Sequence, residues 1–167
     1  MRLAAGGPND VDACVELWRT ATAARDGIEP ADVPETVLAR ARGKLESAAP
    51  SWVLAREPGG TPVGFGLTLS PGSGYADDPP DAAYVALLAV APRAQGHGVG
   101  GALLDAMTEL SAAGMSSAVL HVLETNTAAR CLYDSRGWTV SGSPFPHALS
   151  GLSVLRYTTT FGPGLSP

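Results

Sequence analysis

The chain has only two cysteines in 167 residues, no apolar run approaching the ~18 residues that span a bilayer, and no basic stripe. Each absence excludes something. Cys14 and Cys131 fall in separate expected helices without metal-ligand spacing, so they read as free thiols used as small apolar residues, and no metal is expected. The N-terminus lacks a basic region followed by an apolar core, so neither a leader nor a membrane span is expected and a cytoplasmic location follows as an expectation. Charged residues make up 16% of the chain, with 11 Lys and Arg against 16 Asp and Glu, a net charge of -5. That balance argues against a nucleic-acid partner, which takes clustered positive charge to neutralise phosphates. Internal repeats are also missing. What is there is 45% hydrophobic content, suited to one globular domain with a single core.

Periodicity orders the chain. Met1 to Ala5 reads as a short strand, and Asn9 to Ala24 as a helix with Val11, Cys14, Val15, Leu17 and Trp18 on one face. A second helix is expected over Pro34 to Ala48. Ser51 to Arg56 and Val63 to Ser70 form a hairpin around Pro58-Gly59-Gly60. Residues 70 to 83 are polar and proline-rich, read as an exposed connection or as an acidic lip in which Asp77, Asp78 and Asp81 attract a cationic amine. A strand at Ala83 to Ala91, a helix reaching about Ala113, a strand at Ser117 to Leu123 and a helix at Asn126 to Arg136 follow. Two closing strands are expected near Trp138 to Phe145 and Leu152 to Phe161. The domain is expected over residues 1–161, with 162–167 as a loose tail.

The most informative segment joins the strand ending Leu88-Ala89-Val90 to a helix through Gln95, Gly96, His97, Gly98, Val99, Gly100 and Gly101. A helix start offers unpaired backbone N–H groups and the positive end of the macrodipole, and glycines let a phosphate approach them closely. Gly96 to Gly101 also fits the dinucleotide pattern G-x-G-x-x-G, with Glu124 near the spacing of a ribose-binding acid. In that fold the first glycine follows its strand almost directly, whereas here Ala91 to Gln95 intervene, and no further βαβ units follow.

Read from Gln95, the segment Gln-Gly-His-Gly-Val-Gly resembles Q/R-x-x-G-x-G/A, the acyl-CoA pyrophosphate loop of the GNAT superfamily of N-acetyltransferases. Downstream, Leu-His-Val-Leu-Glu-Thr-Asn-Thr-Ala-Ala-Arg-Cys-Leu-Tyr-Asp-Ser-Arg-Gly-Trp, residues 120 to 138, resembles that family's strand followed by N-x-x-A-x-x-x-Y and an aromatic after glycine. The resemblance covers about residues 83 to 140 closely. It implies an α/β fold, a single domain with a mixed, mostly antiparallel twisted sheet of about seven strands and helices on both faces. It further implies N-acetyl transfer from acetyl-CoA to a primary amine of a small molecule or peptide N-terminus, by direct attack in a ternary complex. A non-catalytic acyl-CoA sensor on the same fold is the alternative. Homodimers are common among such domains.

The resemblance also implies roles. Tyr133 matches the family's proton donor to the departing sulfur, and a phenol near pKa 10 starts protonated. His121, twelve residues earlier, stands where some members carry the base, and an imidazole near pKa 6.5 suits that task. Glu124 or a water chain is the reserve. Leu88, Ala89 and Val90 would meet the acetyl carbonyl and pantetheine arm from a bulged strand. Gln95 through Gly101 would hold the pyrophosphate, His97 through its backbone alone. Asn126 would contact the CoA arm, and Arg130 and Arg93 the 3′-phosphate.

Overall fold

The computed structural model describes residues 1–47, 51–148 and 150–161. Eight strands form one sheet: β1 (Arg2–Ala5), β2 (Ser51–Arg56), β3 (Pro62–Leu69), β4 (Ala82–Val90), β5 (Ser117–Leu123), β6 (Thr139–Val140), β7 (Phe145–Pro146) and β8 (Ser153–Thr160). Among the described residues four α-helices accompany them: α1 (Val11–Asp26), α2 (Glu35–Leu45), α3 (Val99–Ala112) and α4 (Thr127–Ser135). The strand order is β1-β2-β3-β4-β5-β8-β6, with β7 also on β8. The β4–β5 pair is parallel and every other pair antiparallel. The parallel pair follows from the α3 crossover between its strands.

The expected elements are present within a few residues of their bounds. The end of the second helix at Ala48 and the tail at 162–167 lie outside the described residues. The closing strand expected over Trp138 to Phe145 is two short strands. Gly142 takes φ 75° between them, a left-handed value that breaks the extended path. Among the described residues, no helix is long and apolar enough to cross a membrane.

Strand alternation sends side chains to two cores. Trp52, Leu54, Phe65 and Leu67 pack with α1 and α2 on one face. Val53, Ala55, Val85, Leu120 and Val122 pack with Leu103, Leu104 and Met107 of α3 and Tyr133 of α4 on the other. Helix α3 lies close against β3 because Gly64 and Gly66 carry no side chain toward it. A Cβ at Gly64 would stand 2.9 Å from Leu103, and one at Gly66 would collide with Met107.

The sheet has one interruption that matters. Leu67 pairs with Leu87 but Thr68 with Val85, so Ala86 is an extra residue on β4. An inserted residue reverses the alternation beyond it. Ala82 and Tyr84 accordingly face α1 and α2 before the bulge, and Leu87 and Ala89 after it. The bulge expected near Leu88 thus lies at Ala86, two residues before it.

Candidate active site

Pairing between β4 and β5 runs only from Ala82 with Ser117 to Val85 with Leu120, and beyond that the strands part. The N–H of Ala91 donates to Val63 O at 2.8 Å, which fixes the phase of the β3–β4 ladder. Leu87 and Ala89 use their main-chain groups on β3, so Leu88 and Val90 turn theirs into the gap. The Val90 carbonyl accepts Gln95 Nε2–H at 3.0 Å, tying the glycine loop to the strand end.

That loop is shaped by its glycines. Gly96 and Gly98 have φ of 76° and 78°, which side-chain-bearing residues rarely adopt. Gly98 caps α3 with no side-chain hydrogen bond, leaving the first-turn N–H groups open at the helix's positive end. His97 Nδ1 donates to Gln95 O at 2.8 Å, keeping its ring on the loop itself. Gly100 packs beside Val90 and Leu132, so helix start, strand end and α4 converge. Val99 and Gly101 are buried there.

Asn126 caps α4, its Oδ1 accepting Ala129 N–H at 3.3 Å. Arg130 donates to Glu124 O at 3.0 Å, fastening the β5–α4 turn. Arg93 is paired with Glu57, and Glu124 is exposed at the end of β5. Tyr133 is buried between Trp138 and Tyr157, with ring centroids at 6.4 and 5.6 Å. Burial, then the Tyr157 phenol, pushes its pKa above the usual tyrosine value, so it stays protonated. Trp138 fills this core at 3% exposure.

His121 lies on the opposite face of the sheet. Its Nε2 is 2.8 Å from Asp78 Oδ1, and Arg156 Nε donates to the same oxygen at 2.9 Å. Asp78 Oδ2 accepts Tyr75 N–H at 2.8 Å. A carboxylate only accepts, so Nε2 carries the imidazole proton and Nδ1 the lone pair. Nδ1 is buried without a partner among the described residues. Tyr75, Tyr84 and Phe145 surround the ring at centroid distances of 4.8, 5.4 and 5.7 Å. Burial lowers the His121 pKa, Arg156 and Lys44 lower it further, and Asp78 opposes them, so the ring is neutral at pH 7.

Two expectations change here. Asp78 is no part of an acidic lip: its side chain is 4% exposed, turned inward onto His121 and Arg156, while Asp77 and Asp81 stay outside. Cys14 is buried, its thiol pushed up to about 12 by burial first, but Cys131 is exposed on α4. Sequence reasoning missed Tyr75, Asp78, Phe145 and Arg156 as a group around His121. An aspartate in a proline-rich loop gives no sign of which strand it will meet.

Residues 12–138 match the model of the acetyltransferase (GNAT) family. The chain belongs to the GNAT acetyltransferase family. Solved GNAT structures share its fold from end to end. A GCN5-related N-acetyltransferase from Kribbella flavida superposes with a TM-score of 0.71 at 23% identity, over 96% of this chain and 97% of that one. The ribosomal-protein-S18-alanine N-acetyltransferase from Escherichia coli gives 0.70 at 18% identity, over 98% and 95%. An acetyltransferase from Thermus thermophilus gives 0.68 at 18% identity, over 96% of each. No curated protein matches by sequence.

Proposed function

We propose that this GNAT domain transfers acetyl from acetyl-CoA to a primary amine of a small molecule or peptide N-terminus, by direct attack within a ternary complex in a cytoplasmic setting. The observation that carries the reading is the end of β4–β5 pairing at Val85 and Leu120, beyond which the Leu88 and Val90 main-chain groups face away from β3 and are unpaired by β5. The α3 start and Tyr133 belong to one face, His121 to the other.

Each residue then has a task. Gln95 through Gly101 hold the pyrophosphate, chiefly with backbone N–H groups and the helix dipole. Leu88 and Val90 offer main-chain groups to the pantetheine arm and the acetyl oxygen, Ala89 packing behind them. Asn126, with its amide nitrogen free of the cap, contacts the arm, and Arg130 the distal phosphate. His121 Nδ1 takes the proton from the ammonium, directly or through a water, while Asp78 holds Nε2–H. The neutral amine attacks the thioester carbon, and Tyr133 protonates the thiolate as the carbon–sulfur bond breaks. Neither thiol stands where a base would activate it, which supports transfer without a covalent enzyme intermediate.

Thermal unfolding with acetyl-CoA or NADH tests the donor, since a ligand that binds only the folded state raises the melting temperature. A rise with acetyl-CoA alone is expected, followed by free-thiol release when an amine is added. No rise with acetyl-CoA overturns the reading. Binding without thiol release across a broad amine panel would favour the sensor.

A further inference from the structure

The charges around His121 are unbalanced in a direction the sequence does not suggest. Seven arginines are ion-paired, at positions 19, 25, 42, 56, 93, 136 and 156. Arg40 and Lys44 have no carboxylate partner among the described residues, although Arg42 between them on α2 is held by Asp12 and Glu46. Two like charges four residues apart on a helix repel each other. Lys44 is part-buried, with Nζ 3.3 Å from Tyr84 Oη and 3.4 Å from the carbonyl of Ala86, the bulge residue. It also stands 5.2 Å from the centre of the Tyr84 ring, which is itself 5.4 Å from the His121 ring.

The carboxylate beside His121 offers nothing to balance these cations. Asp78 is spent on His121, Arg156 and the Tyr75 N–H. Lys44 and Arg156 both act on His121, and Arg40 and Lys44 both act on His147. A chain of net charge -5 thus carries surplus positive charge on the helix beside its candidate base. Between Lys44 and His121 lies the Tyr84 ring, and Tyr75 packs on the His121 ring as well.

We infer that the acceptor is an amine that also bears a carboxylate, an amino-acid-like small molecule, held through the carboxylate by Lys44 and Arg40 with its amine turned to His121 Nδ1. This rests on the reading of His121 as the base. Tyr75 and Tyr84 take the apolar part of the molecule. The lysine supplies a point charge at the bulge, and the exposed arginine a planar fork that matches a carboxylate.

The test uses matched sets of an amino acid, its methyl ester and the corresponding decarboxylated amine, with aromatic and aliphatic side chains. Transfer from acetyl-CoA is read as kcat/KM, and binding to the CoA complex by calorimetry. The free acid is expected to lead by about tenfold or more, the size of one hydrogen bond to a charged group. Arg40→Gln, at an exposed position, should raise KM for the acid and shrink the acid-to-ester ratio, and Lys44→Met should shrink it further. Equal or weaker use and binding of the acid overturns the inference and leaves acetyl transfer standing. If no amine is acetylated although acetyl-CoA binds, the function reading fails, and the calorimetric preference alone decides whether the basic pair selects anions.

Discussion

Asp78 and His121 stand 43 residues apart in the chain, yet Asp78 Oδ1 accepts the Nε2–H of His121 at 2.8 Å, with side chains only 4% and 7% exposed. The same oxygen accepts from Arg156, which sits directly opposite His121 in the β5–β8 ladder. One carboxylate therefore fixes the tautomer of one neighbour and neutralises the other. The pairing leaves Nδ1 as the nitrogen free to take a proton.

Asp78→Asn should show this arrangement in the kinetics. The amide can still accept from His121 and Arg156 on its oxygen, but its nitrogen then faces the Tyr75 N–H, donor against donor. Loss of the carboxylate removes the one group that raises the His121 pKa, while burial, Arg156 and Lys44 remain. The expected result is a kcat lower by roughly tenfold to a hundredfold, with the acidic limb of the pH–rate profile moved to lower pH. An unmoved limb would show that Asp78 has a structural role alone.

His121→Ala should depress the rate most near neutral pH and abolish the acidic limb assigned to the imidazole. Because the His121 pKa lies below 6.5, wild-type activity should persist somewhat below that value before falling. A retained profile in the variant would move the base to Glu124 or to a water chain.

Tyr133→Phe removes only the phenolic hydroxyl from a packed core. Turnover should fall by about a hundredfold or more, the usual contribution of a positioned acid, with acetyl-CoA affinity within a factor of ~3 of wild type. Thiol release and calorimetry separate the two. Unchanged turnover would relegate Tyr133 to packing against Tyr157 and Trp138.

Gly98→Ala probes the phosphate loop. Beyond its neighbours in the chain, no atom lies within 4 Å of the added Cβ, so any effect comes from the backbone, held at φ 78°. The strain should cost about 1–2 kcal/mol of stability, read from denaturant unfolding. Acetyl-CoA affinity should fall as well, because Gly98 directs the open N–H groups of α3. Wild-type affinity in a strained but folded variant would place the pyrophosphate elsewhere.

Stability should also follow His121. Its folded pKa is lower than its unfolded one, so the unfolded state binds more protons as pH drops below 6.5, and folding weakens there. The contribution is fully present above 6.5 and diminishes as pH falls toward the folded pKa. His121→Gln, compared with wild type in denaturant titrations from about pH 7.5 to about 5, should flatten that part of the dependence. Equal slopes would mean that the imidazole is not held neutral by its surroundings.

The sequence by itself determined the elements and the turn geometry of the glycine loop, the proposed donor half of the site. The spacing of Val11, Cys14, Val15 and Leu17 marked α1, and all four are buried. The glycines of the loop were legible because positive φ and close approach are local demands that composition must meet. Asn126, Tyr133, Gly137 and Trp138 were legible for a similar reason: cap, helix stop and aromatic plug follow one another closely along the chain, and Trp138 N–H still bonds Tyr133 O at 3.1 Å. Tertiary structure alone decided the surroundings of His121, the proposed acceptor half. Whether Asp78 faced water or His121, whether Lys44 met the carbonyl freed at Ala86, and where the β4 alternation reversed all depend on strand register and on how residues 70 to 83 fold back over the sheet. Those are contacts between segments far apart in the chain, and local spacing holds no record of them.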